Sequence, residues 1–208
     1  MLRRPKFLRR SVLGGLSALG LVSALPAPLA AQIVTPRQTE GPFYPSSAMR
    51  FADQDNDLVQ VADAVREAGG EVIVLKGVVR QNDGAPAAGA RIEIWQVDTN
   101  GRYLHTRDNR GNARDPNFQG FGFAITDEVG QYAFRTIKPV PYPGRTPHIH
   151  VKVFHAEREL TTQFYIHEHP LNPRDGLWRR LSAAQQEAVA MRFSNGRDGE
   201  ETTVDIQL

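Results

Sequence analysis

Tyr142-Pro143-Gly144-Arg145-Thr146-Pro147-His148-Ile149-His150 is the stretch on which the reading of this chain turns. From His148 to Phe154 polar and β-branched residues alternate, the pattern of a half-buried strand. Positions i and i+2 of a strand project from one face, so His148 and His150 stand side by side, with Ile149, Val151 and Val153 on the other face. Two adjacent imidazoles can chelate a metal ion. The same spacing also suits a hydrogen-bonded pair on a sheet face, and His167-x-His169 repeats it, so the choice rests on the residues around it.

Working outward, residues 72–79 and 92–97 are rich in β-branched residues and flank the turn chemistry of Asn82-Asp83-Gly84, which predicts two neighbouring strands. A second turn, Asp98-Thr99-Asn100-Gly101, leads to Tyr103, and the polar, glycine-containing residues 105–122 are expected to form a long functional loop. Residues 131–136 read as a further short strand and residues 202–208 as a closing one. Residues 58–68 have the pattern of a short amphipathic helix stopped by Gly69-Gly70. Ser182-Ala183-Ala184-Gln185 is a capping-box start for a helix running to about Phe193. Residues 35–45 contain three prolines and a glycine and form no regular element; Phe43 and Tyr44 there could pin an arm to the core. Asp53, Asp55 and Asp57 alternate as in a calcium loop, but neither the sixth-position glycine nor the twelfth-position glutamate is present. The expected fold is a mainly-β, antiparallel β-sandwich with long functional loops and one or two short helices.

With 208 residues, 40% of them hydrophobic and 23% charged, the chain suits one globular domain behind a short leader. Residues 1–31 hold Arg3, Arg4, Lys6, Arg9 and Arg10 and no acid. Subtracting those five from the formal +2 leaves −3 for residues 32–208, so the basic isoelectric point is no sign of nucleic-acid binding. The charged start, the apolar run over residues 12–25 and the small residues ending at Ala30-Ala31 read as an export signal, removed to leave a domain over residues 32–208. That run is too short for an ordinary membrane span, so no stable insertion is expected after processing. Arg9-Arg10-Ser11-Val12-Leu13 resembles a twin-arginine signal, which implies a folded, metal-loaded protein exported to the periplasm or beyond. The absence of cysteine agrees: stability comes from packing rather than disulfides, and thiolate metal sites are excluded.

Leu75-x-Gly77-x-Val79, Gly84, Ala87, Ile92-Glu93-Ile94 and Gly101-x-Tyr103 together resemble, at every spacing, the signature of the intradiol ring-cleavage dioxygenases. The resemblance runs from about Thr35 to His169. It implies that Tyr103, a second tyrosine at Tyr142, 39 positions on as in the protocatechuate branch, and the pair His148 and His150 ligate iron(III). It also assigns Arg145 and Gln163, with Tyr142, to catalysis, and Gly41, Pro42 and Tyr44 to the substrate pocket. A catechol would bind as a dianion, displacing hydroxide and Tyr142, which accept its two protons. Dioxygen would then attack the ring, and the product would be a cis,cis-muconate. Arg145 would stabilise the negative charge developing on the ring. Tyr132 and Tyr165 are read as strand packing, and His105, His155, His167 and His169 as surface or supporting residues.

The chemistry fits those residue types. Phenolate oxygen is a hard donor that holds iron in its ferric state. Two tyrosinates and one hydroxide cancel its charge, so the site can be buried without a large solvation cost. A phenol with a pKa of about 10 stays ionised at neutral pH only beside a multivalent cation. Three rivals remain at this stage. A zinc or copper enzyme could use the two histidines but leaves both tyrosines unexplained. An extradiol dioxygenase needs two histidines and a carboxylate on iron(II). An inactive sandwich could serve as a binding module. The mature length is expected to leave no room for the helical dimerisation region of catechol 1,2-dioxygenases. Gly144 stands where the protocatechuate branch has a tryptophan, so a wider pocket is expected; the partners implied are O2 and a small-molecule catechol whose substituents the sequence does not specify. The oligomeric state is equally open.

Overall fold

The computed structural model describes residues 33–62, 64, 66–197 and 199–208; the export segment expected over residues 1–31 lies outside them. The strands among the described residues are β1 (Val72–Arg80), β2 (Arg91–Trp95), β3 (Phe121–Ile125), β4 (Gln131–Ile137), β5 (His148–His155), β6 (Arg158–Ile166), β7 (Ala190–Met191), β8 (Phe193–Gly196), β9 (Gly199–Thr203) and β10 (Ile206–Gln207). One short helix, α1 (Ala183–Ala188), and three 3₁₀ turns complete the described elements. No helix among the described residues is long and apolar enough to cross a membrane.

The strands form two five-stranded sheets, mostly antiparallel, as expected. In the first, β4 lies along one edge of β1, while β9 and β10 follow one another, parallel to β1, along the other; β8 pairs with β9. The second runs β3-β2-β5-β6-β7. Ile73, Leu75 and Val79 of β1 and Ile92, Ile94, Ile149, Val151 and Val153 of β2 and β5 all belong to one buried apolar cluster, where alternate side chains of both sheets meet. Gly77 of the signature has a packing reason: a Cβ there would stand 2.1 Å from the Val204 carbonyl oxygen, where the link between β9 and β10 crosses β1.

Four expectations are corrected. β1 and β2 are not neighbours but lie in opposite sheets. After the turn at Gly84 the returning chain makes only an isolated bridge, Arg80 to Pro86, flanked by Gln81 N–H to Ala85 O and Ala87 N–H to Val79 O, and goes no further because the Val79 N–H donates to Gly130 O instead. The Gly89 and Ala90 N–H groups then donate to Thr126, carrying the chain across. Residues 58–68 contain no helix among the described residues. Their polar backbone groups are used elsewhere: Leu58 N–H donates to Arg135 O and Gln119 N–H to Leu58 O, while within the segment Ala68 N–H donates to Val59 O across a wide loop. Helix α1 has the expected capping box at Ser182 and Gln185 but stops at Ala188, because the Val189 carbonyl accepts from Tyr165 N–H and the chain turns into β7. The closing strand is divided into β9 and β10 around Asp205, whose side chain accepts from Val78 N–H. β3, unanticipated, begins at Phe121 and ends the long loop there.

Candidate metal centre

β5 lies between β2 and β6, and contrary to the half-buried expectation both of its faces are covered from His148 to Val153. Ile149, Val151 and Val153 enter the sandwich core, whereas the histidine face is roofed by the proline-rich N-terminal strap. Gly41 of that strap, with φ +75°, passes so close over His150 that a Cβ would lie 3.6 Å from its ring. Lys152 on the same face is ion-paired to Glu40 of the strap.

The two tyrosines arrive from loops. Tyr103 follows the turn closed by Asp98 and Gly101, and its N–H donates to Asp108 (2.8 Å). Tyr142 opens a tight turn in which Arg145 N–H donates back to its carbonyl (2.9 Å). The Tyr103 hydroxyl lies 2.9 Å from His150 Nε2 and 3.2 Å from His148 Nε2, and the two Nε2 atoms are 3.2 Å apart. These three residues are only 1 to 3% exposed. The Tyr142 ring stands 5.6 Å from that of Tyr103 and 5.5 Å from that of His148, with the Arg110 guanidinium 4.4 Å above it.

Protonation follows from this geometry. His148 Nδ1 lies 2.7 Å from the Thr146 carbonyl, to which only a protonated nitrogen can donate, so the Nε2 lone pair faces the centre. Burial, reinforced by Arg145, lowers its pKa to about 3. Burial, with His148 and Arg145, holds His150 well below its ordinary value. Burial pushes the Tyr103 phenol well up, and the neighbouring Tyr142 adds to the shift. Both imidazoles are therefore neutral donors, and Tyr103 needs a cation before it ionises at neutral pH.

These residues fit a metal. Bonds of about 2.1 Å meeting near right angles put donor atoms about 3 Å apart, the spacing of the three converging atoms. His150 Nδ1 is buried without a hydrogen-bond partner, so that ring is held by stacking on Trp95 and by its contacts at Nε2 rather than by a bond at Nδ1. No group of three or more His, Cys, Asp or Glu that could hold a metal occurs among the described residues, so a metal at this place depends on phenol oxygen. Hard, anionic phenolates with two neutral nitrogens suit a hard trivalent ion such as iron(III).

Arg145 flanks the donors. Its Nε donates to Asp175 (2.8 Å), one Nη to Gln163 Oε1 (2.6 Å), and the other lies 3.4 Å from the Tyr142 hydroxyl. Gln163 is directly opposite His150 in the β5–β6 register and also donates to Thr39 O in the strap (3.0 Å). Gly41 lies over His150, and the Pro42 carbonyl accepts from Arg107 (3.0 Å). The Tyr44 hydroxyl donates to Glu93 and its ring packs edge-on against Trp95 (4.9 Å), the residue that stacks on His150. Tyr132 packs as expected, donating to Val204 O (2.6 Å). Tyr165, expected as packing alone, stands opposite His148; its hydroxyl donates to Gln38 Oε1 (2.6 Å) and lies 3.0 Å from Gln163 Oε1. His105 and His169 engage local backbone N–H groups, of Arg107 and Leu171.

Sequence reasoning missed Trp95, whose ring stacks on His150 at 4.7 Å; it also treated Phe43, stacked on Tyr103 at 5.1 Å, only as a pin for the strap. It also missed Arg110, Asp108 and Asp175. The β2–β5 register would have revealed Trp95, which pairs with His150. Nothing local in the sequence marks the two aspartates.

The sequence model of the family described as "Dioxygenase" matches residues 39–208. The chain is similar to the protocatechuate 3,4-dioxygenase beta chain of Burkholderia cepacia, 37% identical over 167 residues, covering 76% of this chain and 70% of that one. It is similar to catechol 1,2-dioxygenase 1 of Acinetobacter lwoffii, 32% identical over 184 residues, covering 79% of this chain but only 55% of that one. Among solved structures, the dioxygenase domain of a dioxygenase–carbohydrate-binding protein fusion from Streptomyces sp. SirexAA-E superposes with a TM-score of 0.63 at 32% identity, covering 85% of this chain and 98% of that one. The chain belongs to the intradiol ring-cleavage dioxygenase family.

Proposed function

We propose that the protein is a non-haem iron(III) intradiol dioxygenase that inserts both atoms of O2 into a catecholic ring, cleaving between the two hydroxyls to a cis,cis-muconate-type product. The observation that carries this reading is the convergence of the Tyr103 hydroxyl and two neutral imidazoles at about 3 Å, flanked by Tyr142 and Arg145. Tyr103, Tyr142, His148 and His150 would hold the iron. Bound ferric iron supplies the Lewis acidity that makes a catecholate ring reactive toward O2.

The chain's own residues account for the rest. Tyr142, on a solvent-flanked turn and only partly buried, is the ligand free to leave and accept a catechol proton, whereas Tyr103 is packed under Phe43 and stays. Arg145 keeps its charge beside the Tyr142 hydroxyl, where it stabilises negative charge on the ring. Gln163 fixes one arm of that guanidinium, and the strap at Gly41 and Pro42 covers His150 and limits water. Residues 1–31 serve export to the periplasm or the medium by a twin-arginine route, which N-terminal sequencing of the exported protein tests.

The direct test is oxygen uptake by the iron-loaded protein across a panel of catechols, with product identified by its absorbance. A ring opened between the hydroxyls is expected. A colourless, zinc-loaded protein that stays colourless after ferric reconstitution and consumes no oxygen would sink the proposal.

A further inference from the structure

We infer that Asp175, which touches none of the metal-donor atoms, is the positioning residue of the centre: its carboxylate aims Arg145 and anchors the peptide that orients His148. The inference rests on the dioxygenase reading above and adds to it a residue from outside the β5 region.

Asp175 lies 30 residues beyond Arg145, just after a 3₁₀ turn (Asn172–Arg174), and its side chain is wholly buried. Its two oxygens do different work. Oδ1 accepts from Leu177 N–H (2.8 Å) and Trp178 N–H (3.1 Å), so the carboxylate is locked by its own chain. Oδ2 accepts from Arg145 Nε (2.8 Å) and Thr146 N–H (3.0 Å), both on the turn that carries the centre.

A guanidinium is planar, so two anchors fix its plane. Asp175 holds Nε and Gln163 holds one Nη, which leaves the other Nη facing the Tyr142 hydroxyl. The carboxylate also partly neutralises the cation it holds. Its contribution to catalysis is therefore geometric: it keeps a long, rotamer-rich side chain in one pose. The second link runs through the backbone. The Thr146 peptide fixed by Oδ2 is followed by the carbonyl that receives His148 Nδ1, the contact that turns the Nε2 lone pair toward the centre.

Asparagine has the shape but a single acceptor oxygen, so Asp175→Asn cannot serve both pairs of donors. The test is a double-mutant cycle with Arg145→Leu on the iron-loaded protein, reading kcat, KM, iron stoichiometry and visible spectrum. Asp175→Asn is expected to lower kcat by roughly 10² with KM little changed and iron retained. In the Arg145→Leu background its cost should shrink to roughly tenfold or less, because the guanidinium it aims is gone and only the link through Thr146 to His148 remains, read as the same shift of the visible band in both backgrounds. Should Asp175→Asn not accumulate as soluble protein, Asp175→Glu, which keeps the charge and displaces it by one methylene, carries the same cycle.

Wild-type turnover in the Asp175 variant, or a loss that multiplies undiminished with that of Arg145→Leu, overturns the inference. So does a loss that only tracks lost iron. Wild-type iron-loaded protein that consumes no oxygen with any catechol overturns the dioxygenase reading instead, and is distinguished by the wild-type control alone.

Discussion

Tyr103 and Tyr142 carry the same functional group in different mechanical settings. Tyr103 is buried under Phe43, with its backbone tied to Asp108. Tyr142 is half-buried on a turn, between Arg110 and Arg145. Tyr142→Phe should therefore keep a ferric site with one phenolate, weaken or blue-shift the visible band and slow formation of the catechol complex. His148→Ala should cost most of the iron, because nothing nearby replaces its neutral donor. Iron stoichiometry with stopped-flow substrate binding separates the two, and an unchanged spectrum and binding rate in Tyr142→Phe would remove that tyrosine from the ligand set. Arg145→Leu should lower kcat by roughly 10² with iron intact, the usual consequence of losing a preorganised charge. Wild-type turnover in that variant would return Arg145 to a structural role.

At the level of elements, each sheet has a separate task. The second presents the histidines on its covered outer face, while the first closes the core and receives the C-terminal strands. Gly77 is where this closure is tightest, since any side chain would meet the Val204 carbonyl. Gly77→Ala should destabilise the fold by about 3 kcal/mol or more, because a backbone group rather than a flexible side chain must move. The denaturation midpoint measures this. Iron per folded molecule should stay unchanged, because the donors stand on the other sheet.

For the molecule as a whole, acid stability should be set by carboxylates near the centre. Burial alone would raise the carboxyls of Asp108 and Asp175, but hydrogen bonds from Arg110 and Arg145, joined by backbone N–H groups, outweigh it and hold both below the ordinary value of 3.8. A depressed carboxyl stabilises the fold above its unfolded pKa, and that contribution is lost as the pH falls through the lower folded value. The melting temperature should thus fall steeply below about pH 4. The Asp108→Asn variant should start lower at pH 7 and show a shallower fall, and equal slopes in the two proteins would contradict this assignment.

The sequence by itself determined the two-sheet, mainly-β architecture and its candidate donors, because alternation, turn residues and the spacing of Tyr103, Tyr142, His148 and His150 are local properties of the chain. Tertiary structure decided which strands pair: β1 and β2 look like partners in sequence, yet the Val79 N–H bond to Gly130 O and the hydrogen bonds to Thr126 send them to opposite sheets. It also decided what surrounds the donors. Trp95, Phe43, the Asp108–Arg110 pair and Asp175 come from four separate segments, and no periodicity links them to His148. Burial decided the protonation states, since an imidazole or phenol has its ordinary pKa in the sequence and acquires a shifted one only when the sheet, the strap and the loops exclude water from it.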